Sequence, residues 1–371
     1  MGNYGIPEID ISSYSQRLVN TEGRQRIPLS GTLELTFRCN NRCAHCYVSQ
    51  GIDDEKEKGK ELRYPEIRHL LDDLAEEGCL WLLLTGGEPL VREDFLDIYL
   101  YAKKKGFLIT LFTNGTLVTP SVADFLREFP PRAIEISLYG ITEKTYERVS
   151  RSQGSYEQCM EGIDLLLQRK LPLKLKTVIT TINRHEFMDI KNFVQDLGLE
   201  FRFDALINGR VDGRQNTAKL RIPPHEVVEL DMADPRRGPE FVSLYERTCG
   251  IKQDPDLVYR CGAGVNSFHI DSYGRLMLCT LARNPSYDLR DGSFREGWRD
   301  FLPRIREQKL EKRNKCVDCE LRFICDQCPG WSQLEYADQT MPVDYLCQVA
   351  HLRAEAFGIG GSAYMEKELE R

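Results

Sequence analysis

The chain has 371 residues, 41% hydrophobic and 29% charged, with a formal net charge of −7. This composition is typical of a globular protein of about two or three domains, and the negative balance excludes general affinity for nucleic acid or anionic membranes. No apolar run is long enough to span a bilayer, and no secretory signal is visible at the N-terminus, so we expect a cytoplasmic protein. In that compartment its 13 cysteines are more often metal ligands than disulfides.

Strand and helix patterns alternate from residue 33 to residue 207. Apolar alternation and short apolar runs predict strands at 33–37, 80–84, 107–112, 133–138, 173–180 and 201–207. Helical stripes with suitable end residues predict helices at 65–77, 95–105, 120–129, 155–169 and 185–197. The alternation predicts a parallel sheet with right-handed crossovers. Because a closed eight-stranded barrel needs about 250 residues, the α/β pattern predicts a partial (β/α)6 barrel with its active site at the carboxyl ends of the strands.

The same pass along the chain divides it into five expected parts. These are an N-terminal extension (1–30), the barrel (31–208), a connector rich in Gly, Pro and Arg (209–258), a cysteine-dense domain (259–353) and a tail (354–371). The cysteine-dense part has few continuous apolar stripes. We therefore expect bound metal to hold it together.

Three cysteines follow the first strand directly. Cys39, Cys43 and Cys46 have the spacing C-x3-C-x2-C. Three thiolates on a tight loop can hold three corners of a 4Fe–4S cluster, which leaves one iron open to bind a ligand. The alternative is a zinc site completed by His45, although zinc sites prefer two paired ligand knuckles.

A glycine-rich turn ends the second predicted strand, at Thr85-Gly86-Gly87-Glu88-Pro89. The two glycines let the backbone approach a ligand closely, and the carboxylate of Glu88 can meet an ammonium group. Alone, such a triplet is usually only a turn. Beside a three-cysteine loop it indicates a ligand site.

These motifs together resemble the radical SAM enzymes over about residues 31–208. The match consists of the cysteine loop with Tyr47 behind it, Gly86 to Pro89, Thr113-Asn114-Gly115 after the third strand and Ser137 after the fourth. The resemblance implies that the open iron chelates the amino and carboxylate groups of S-adenosylmethionine (SAM). It implies that the glycine turn, through Gly86, Gly87 and Glu88, holds the amino group.

The resemblance also extends to residues around that turn. The backbone near Tyr47 is implied to lie against the adenine, with Asn114 as a further cofactor-binding residue. Ser137 is a candidate for the ribose or carboxylate. Arg148 or Arg151 is a candidate partner of the carboxylate, and a solvated helix face is the alternative for both arginines.

Seven cysteines lie in the last third of the chain: Cys261, Cys279, Cys316, Cys319, Cys325, Cys328 and Cys347. Their two C-x2-C pairs alone favour a zinc ribbon. The whole set resembles the SPASM domain, a C-terminal extension of radical SAM enzymes with two auxiliary 4Fe–4S clusters. The resemblance assigns Cys261, Cys279 and Cys328 to the first auxiliary cluster. It assigns the remaining four cysteines to the second. Cys249 is a possible fourth ligand of the first cluster, and an open position is the alternative.

The implied cofactors are three 4Fe–4S clusters and SAM. The implied reaction is reductive cleavage of SAM to a 5′-deoxyadenosyl radical, which takes hydrogen from a substrate. A ribosomally made precursor peptide is the expected substrate, with a thioether or carbon–carbon crosslink as the product. Enzymes of haem or quinone precursor pathways and sulfatase maturation are alternatives. A non-catalytic iron–sulfur or zinc-binding regulator is a distant one, because it would not need the turn at Gly86 to Glu88.

The expected partners follow from the same resemblance. An electron donor such as flavodoxin or ferredoxin would reduce the clusters. About 80 residues of a fused peptide-recognition domain are missing, so we expect a separate leader-peptide-binding protein. Neither nucleic acid nor a membrane is an expected partner.

Overall fold

The computed structural model describes residues 26–48, 50–249 and 254–360. Most of the expected N-terminal extension and most of the expected tail lie outside these residues. No helix in the described ranges is long and apolar enough to cross a membrane.

A single large sheet organises the described chain. In chain order the strands are β1 Ser30–Thr36, β2 Arg38–Cys39, β3 Gln50–Gly51, β4 Trp81–Gly86, β5 Leu108–Thr113, β6 Ala133–Ser137, β7 Leu173–Val178, β8 Glu200–Asp204, β9 Ser267–Ile270, β10 Arg275–Met277 and β11 Tyr287–Asp288. The large sheet has the order β11-β10-β9-β1-β4-β5-β6-β7-β8, while β2 and β3 pair separately. From β1 to β8 all neighbours run parallel. The six predicted strands and the partial barrel are therefore confirmed.

Helices connect the parallel strands and cover the sheet. The α-helices are Glu55–Lys58, Tyr64–Glu76, Phe95–Lys104, Pro120–Glu128, Glu143–Ser150, Ser155–Gln168, Phe187–Asp196, Pro224–Met232, Arg237–Thr248, Phe294–Glu296, Leu302–Arg306, Pro329–Tyr336 and Asp344–Phe357. A π-helix, Gly297–Phe301, joins two of them, and short 3₁₀ turns lie at Pro89–Val91, Arg184–Glu186, Ala218–Leu220 and Glu320–Phe323. The five predicted barrel helices all form, with bounds shifted by a few residues.

One barrel helix, Glu143–Ser150, was not predicted. Its sequence is mostly polar, so it has no obvious apolar stripe. Thr142 caps it, because the Thr142 side chain accepts a hydrogen bond from the backbone N–H of Thr145 at 3.3 Å. Tyr146 and Val149 are fully buried and attach the helix to the core.

Strands β6 and β7 show how the sheet separates two environments. Ile134 and Ile136 are buried in the core shared with the outer helices. Side chains alternate across a strand, so Glu135 and Ser137 face the barrel interior. Ser137 pairs in register with Lys176 of β7, which therefore faces the interior too. The interior face of these strands is polar, and the outer face is apolar.

The cysteine-dense segment contributes to the same sheet. Its strand β9 pairs in parallel with β1, and β10 and β11 follow by antiparallel pairing. The segment expected as a second domain is thus joined to the barrel through β1.

The expected connector contains two helices, Pro224–Met232 and Arg237–Thr248. Gly238 and Pro239 suggested irregular chain, but both lie in the first turn of the second helix, where proline breaks no hydrogen bond. The connector residues are therefore part of the packed structure.

A buried carboxylate fixes the C-terminal helix onto the connector. Asp231 is fully buried and accepts hydrogen bonds from Arg237 at 2.9 Å and from Arg353 at 2.8 Å. Arg353 belongs to the helix Asp344–Phe357, which continues past residue 353, where the tail was expected to begin.

Candidate active site

Cys39, Cys43 and Cys46 lie on the loop after β1, at the carboxyl edge of the sheet. The backbone N–H of Cys46 donates to the carbonyl of Cys43 at 3.0 Å, which folds the loop into a turn. Two backbone hydrogen bonds of 2.8 and 2.9 Å join the loop to the last turn of helix Glu143–Ser150. The helix that the sequence did not reveal thus supports the cysteine loop.

The three thiols lie close together in a buried setting. Burial raises the pKa of Cys39 to about 12, and the charge of Glu88 adds to the effect. Burial also raises the pKa of Cys43 well above its usual range, and the charges of Cys46 and Cys39 raise it further. Three thiolates therefore repel one another here unless a cation joins them. Metal binding supplies that cation and deprotonates the thiols.

Two amide groups point at the sulfur of Cys39. The backbone N–H of Asn41 lies 3.3 Å from Sγ, and the side-chain Nδ2 of Asn114 lies 3.7 Å from it. Hydrogen bonds to cysteine sulfur tune the reduction potential of a bound iron–sulfur cluster. The thiols and the amides around them fit such a cluster.

The zinc alternative required His45 as a fourth ligand. His45 is half-buried, desolvation lowers its pKa to about 4, and its ring packs edge-on against Tyr139 at 5.0 Å between centroids. Over the described ranges, no three His, Cys, Asp or Glu side chains converge on a single ion. This spacing is compatible with a 4Fe–4S cluster. Each thiolate binds a different iron of the cluster, so the sulfurs lie farther apart than the ligands of a single ion.

Gly86 and Gly87 allow the end of β4 to pack closely against the backbone of residues 36–38, just before the cysteine loop. A Cβ atom on Gly86 would overlap the carbonyl oxygen of Thr36, and one on Gly87 would overlap that of Arg38. Gly86 also has a φ of 137°, which side-chain-bearing residues rarely adopt. Glycine is therefore needed at both positions for packing as well as for ligand approach, because a side chain there would prevent the end of β4 from contacting the backbone at the end of β1.

Glu88 is fully buried at this junction. Its carboxylate accepts hydrogen bonds from the backbone N–H of Asn114 at 2.7 Å, from Thr113 Oγ1 at 2.8 Å and from the N–H of Leu90 at 3.0 Å. Burial nevertheless raises its pKa to about 7, with the three donors opposing the shift. A buried carboxylate of this kind favours a cationic partner such as an ammonium group.

Tyr47 belongs to a network that sequence reasoning missed. Its hydroxyl donates to Glu34 of β1 at 3.1 Å, and Glu34 is fully buried. Arg283 binds the same carboxylate through both terminal nitrogens at 2.9 and 3.0 Å, and His269 of β9 lies 3.0 Å from it. The charge in the middle of an apolar strand was the available signal.

The remaining candidate cofactor-binding residues differ in how far their side chains are buried. Ser137 is half-buried at the end of β6, beside Tyr139. Arg148 is exposed on helix Glu143–Ser150, and Arg151 is exposed at its C-terminal cap. The structure thus brings the cysteines, Glu88 and Asn114 together and leaves both arginines on the surface.

Comparison with known proteins identifies the family of the barrel. Residues 33–197 match the profile of the Radical SAM superfamily. This part of the chain is a radical SAM domain. The family uses a 4Fe–4S cluster and SAM, which agrees with the donor set at the end of β1.

Similar proteins cover most of the chain. The AdoMet-dependent heme synthase of Methanosarcina barkeri is 25% identical over 321 residues, 80% of this chain and 89% of that protein. Mycofactocin maturase MftC of Mycobacterium tuberculosis is 26% identical over 328 residues, 85% of this chain and 81% of that protein. Streptococcus suis SuiB bound to its precursor peptide SuiA has a TM-score of 0.67 at 16% identity, over 91% of this chain and 78% of that one. The C-terminal region is of the SPASM type.

The cysteines of the SPASM-type region fall into two groups. Burial and the charges of Cys279 and Cys261 raise the pKa of Cys328 to about 11, so these three thiols are neighbours. Cys261 itself is exposed. The structure therefore brings together the three cysteines that the resemblance assigned to the first auxiliary cluster.

The second group is equally distinct. Burial and the charges of Cys319 and Cys347 raise the pKa of Cys316. Burial raises the pKa of Cys325 to about 12, with the charges of Cys347 and Cys316 adding to it. Cys249 is exposed at the end of helix Arg237–Thr248, where its sulfur lies 3.6 Å from the carbonyl of Glu246.

Proposed function

We propose that this chain cleaves SAM reductively and uses the resulting radical to take hydrogen from a ribosomally made precursor peptide, forming a thioether or carbon–carbon crosslink. One observation carries the proposal. The thiols of Cys39, Cys43 and Cys46 and the buried carboxylate of Glu88 meet where β1 and β4 end. A cluster with an open iron and a group that holds an ammonium are the two things that SAM binding requires.

Each residue of this site has a stated task. Cys39, Cys43 and Cys46 bind the cluster, and Asn114 donates to one of its sulfur ligands. Glu88 holds the amino group of SAM, and the surrounding core excludes water. A reduced 4Fe–4S cluster held by these cysteines would supply the one electron that breaks a carbon–sulfur bond of SAM to give methionine and the 5′-deoxyadenosyl radical.

We assign the SPASM-type cysteines to two auxiliary clusters. Cys261, Cys279 and Cys328 bind the first, which leaves one position for another ligand or for substrate. Cys316, Cys319, Cys325 and Cys347 bind the second. Crosslink formation removes two hydrogen atoms from the peptide. One would go to the 5′-deoxyadenosyl radical, and the other would leave as a proton to solvent and an electron, which a cluster held by these cysteines would accept. A flavodoxin- or ferredoxin-like donor reduces the SAM cluster, and a separate protein binds the leader peptide.

The peptide substrate is supported by relatives with that role. MftC is a maturase by name, and the fold neighbour SuiB was solved with a precursor peptide. The second candidate is a haem-pathway enzyme, because the Methanosarcina heme synthase is similar along 89% of its own length. Both candidates share the SAM-cleaving site and differ in the substrate.

Formation of 5′-deoxyadenosine tests the proposal. We expect anaerobically reconstituted protein with dithionite to produce it, and the variant with Cys39, Cys43 and Cys46 all changed to Ala to produce none. That variant should keep the iron of about two clusters, because the auxiliary cysteines are intact. Retained cleavage would contradict the site.

A matched control and a substrate assay complete the test. Cys79→Ala removes a buried thiol far from these loops and should leave cleavage unchanged. Incubation with a precursor peptide should lower the peptide mass by two hydrogens per crosslink. Conversion of an iron–porphyrin precursor, with no change in peptide, would favour the haem-pathway candidate instead.

A further inference from the structure

Three charged side chains from neighbouring strands meet inside the barrel. We call Glu135 of β6, Lys176 of β7 and Arg202 of β8 the lumen triad. Lys176 and Arg202 pair in register, so they lie side by side on the interior face. Glu135 Oε2 lies 3.4 Å from Lys176 Nζ and 3.9 Å from Arg202 Nη1.

The lumen triad itself holds two cationic side chains and one carboxylate, and Asp204 is a further anion that interacts with Arg202. One carboxylate is shared by two cations, and the nearby charges Lys174 and Glu200 neutralise each other at 2.6 Å. Lys176 lies over the ring of Phe112, 2.8 Å from its centroid. Burial lowers the pKa of Lys176 to about 7; Glu135 opposes the shift and Arg202 adds to it. A further anion would relieve this imbalance.

A cavity borders the triad at Arg202. Its volume is about 440 Å³, and its walls include Arg202 and Asp204 of β8 and, opposite them, Cys328 and Trp331. The Arg202 side chain is 62% exposed. The cavity therefore extends from near Cys328, a proposed auxiliary-cluster ligand, to Arg202, and the Lys176 side chain beside Arg202 is 17% exposed.

We propose that the lumen triad binds a carboxylate of the substrate, with Lys176 and Arg202 as its cationic partners and Glu135 as the internal carboxylate that it displaces. The inference rests on the proposed function and adds a substrate property, a carboxylate near the carbon that loses hydrogen. It applies to an acidic peptide side chain and to a porphyrin propionate alike.

SAM also carries a carboxylate, and Ser137, a candidate for its ribose or carboxylate, pairs in register with Lys176. The amino and carboxylate groups of SAM are on one carbon, so a SAM held by Glu88 has its carboxylate near Glu88, which leaves Ser137 as the ribose candidate. Glu88 follows β4, and β7 is three strands away in the sheet order. At about 4.8 Å between strands, the two positions are about 14 Å apart along the sheet. The triad is therefore assigned to the substrate.

Protection of Lys176 from acylation tests the proposal without any turnover. Cluster-loaded enzyme with SAM bound is treated with an amine-reactive ester, and labelling is read by mass spectrometry in succinate and in chloride of equal ionic strength. We expect succinate to lower labelling of Lys176 about threefold or more and to leave Lys174 unchanged. Equal labelling in both salts, or equal protection of both lysines, would overturn the proposal.

Variants separate anion binding from a general effect on structure. Arg202→Met should abolish the protection by succinate. Glu135→Gln should strengthen it, because the competing carboxylate is gone, whereas a loss of protection in this variant would contradict the proposal. Glu200→Gln, which alters the neighbouring pair, is the matched control and should behave like the unmodified enzyme.

Further comparisons in the same labelling experiment identify the molecule that supplies the carboxylate. Protection by SAM alone, relative to SAM-free enzyme, would overturn the assignment to the substrate. A glutamate-containing peptide compared with its glutamine counterpart, and iron–coproporphyrin III compared with its methyl ester, should each protect only as the free acid. At least one acid should act at lower concentration than succinate, and the proposal fails if neither does. 5′-Deoxyadenosine formation is measured separately, so failure of SAM cleavage is recognised independently.

Discussion

Two buried charges on the interior face of one sheet are compensated to different degrees. Glu34 of β1 meets both nitrogens of Arg283, the ring of His269 and the hydroxyl of Tyr47. Burial alone would raise its pKa, but His269 and Arg283 outweigh burial and hold the pKa at about 2. Lys176 of β7 has only one shared carboxylate, and burial lowers its pKa to about 7.

From this difference in charge compensation we infer a structural role for Glu34 and a ligand-binding role for Lys176. A fully compensated buried charge fixes the geometry of its partners, and removing one partner is costly. An incompletely compensated one beside a cavity indicates a place for a ligand. Glu34 accordingly joins β1, the SPASM-type region and the loop of Tyr47, while Lys176 faces the open edge of the barrel.

Among the variants that test this comparison, Arg283→Met should cause the largest loss of unfolding free energy. It leaves the Glu34 carboxylate buried beside a single ionisable partner, His269, so we expect a loss of about 3–5 kcal/mol in unfolding free energy. The measurement is thermal or denaturant unfolding of the cluster-loaded enzyme under anaerobic conditions.

The matched variant is Arg202→Met, which removes a cation of the same type from the other side of the lumen. Arg202 is largely exposed, so we expect a change within about 0.5 kcal/mol. Equal losses of unfolding free energy in the two variants would mean that the charges of Glu34 and Lys176 are compensated to the same degree.

Cys316→Ala should have a smaller and local effect. The residues around Cys316 pack in small apolar clusters, one with Leu321 and Ile324 and another with Trp331 and Val343. Loss of the second auxiliary cluster should therefore raise amide hydrogen exchange in residues 312–347 by about tenfold or more. Strands β9 and β10, which the Glu34 network holds to β1, should keep their protection. Zinc in place of iron at this site would contradict the auxiliary-cluster assignment.

The sequence predicted those features that depend on local patterns. Apolar alternation gave the six parallel strands, and the cysteine spacing with Gly86 and Gly87 indicated the ligand site. The charge of Glu34 within an apolar strand was a signal of a buried network, but it did not identify the partners. Its partner Arg283 lies 249 residues later, so no local pattern could reveal that this face is closed.

The same limit applies to the cysteine loop and the lumen triad. Helix Glu143–Ser150 lacks an apolar stripe because two of its four buried residues, Thr145 and Ser150, are polar, yet it supports the loop. Glu135, Lys176 and Arg202 come from three strands, and only their register brings them together. Pairing between strands, rather than any single segment, determines which charges become neighbours.

The pH dependence of Lys176 acylation gives the finest test of the comparison. Only the neutral amine reacts, and a lysine with its ordinary pKa becomes neutral near pH 10.4. With a pKa lowered to about 7, Lys176 should lose its proton as the pH rises through 7 and react at a nearly constant rate above about pH 8.5. The summed labelling of the other lysines should still increase there. In Glu135→Gln, the ammonium loses its one carboxylate partner, so the midpoint for Lys176 should fall further. A midpoint near 10 in the unmodified enzyme would mean that the Lys176 charge is fully compensated, like that of Glu34.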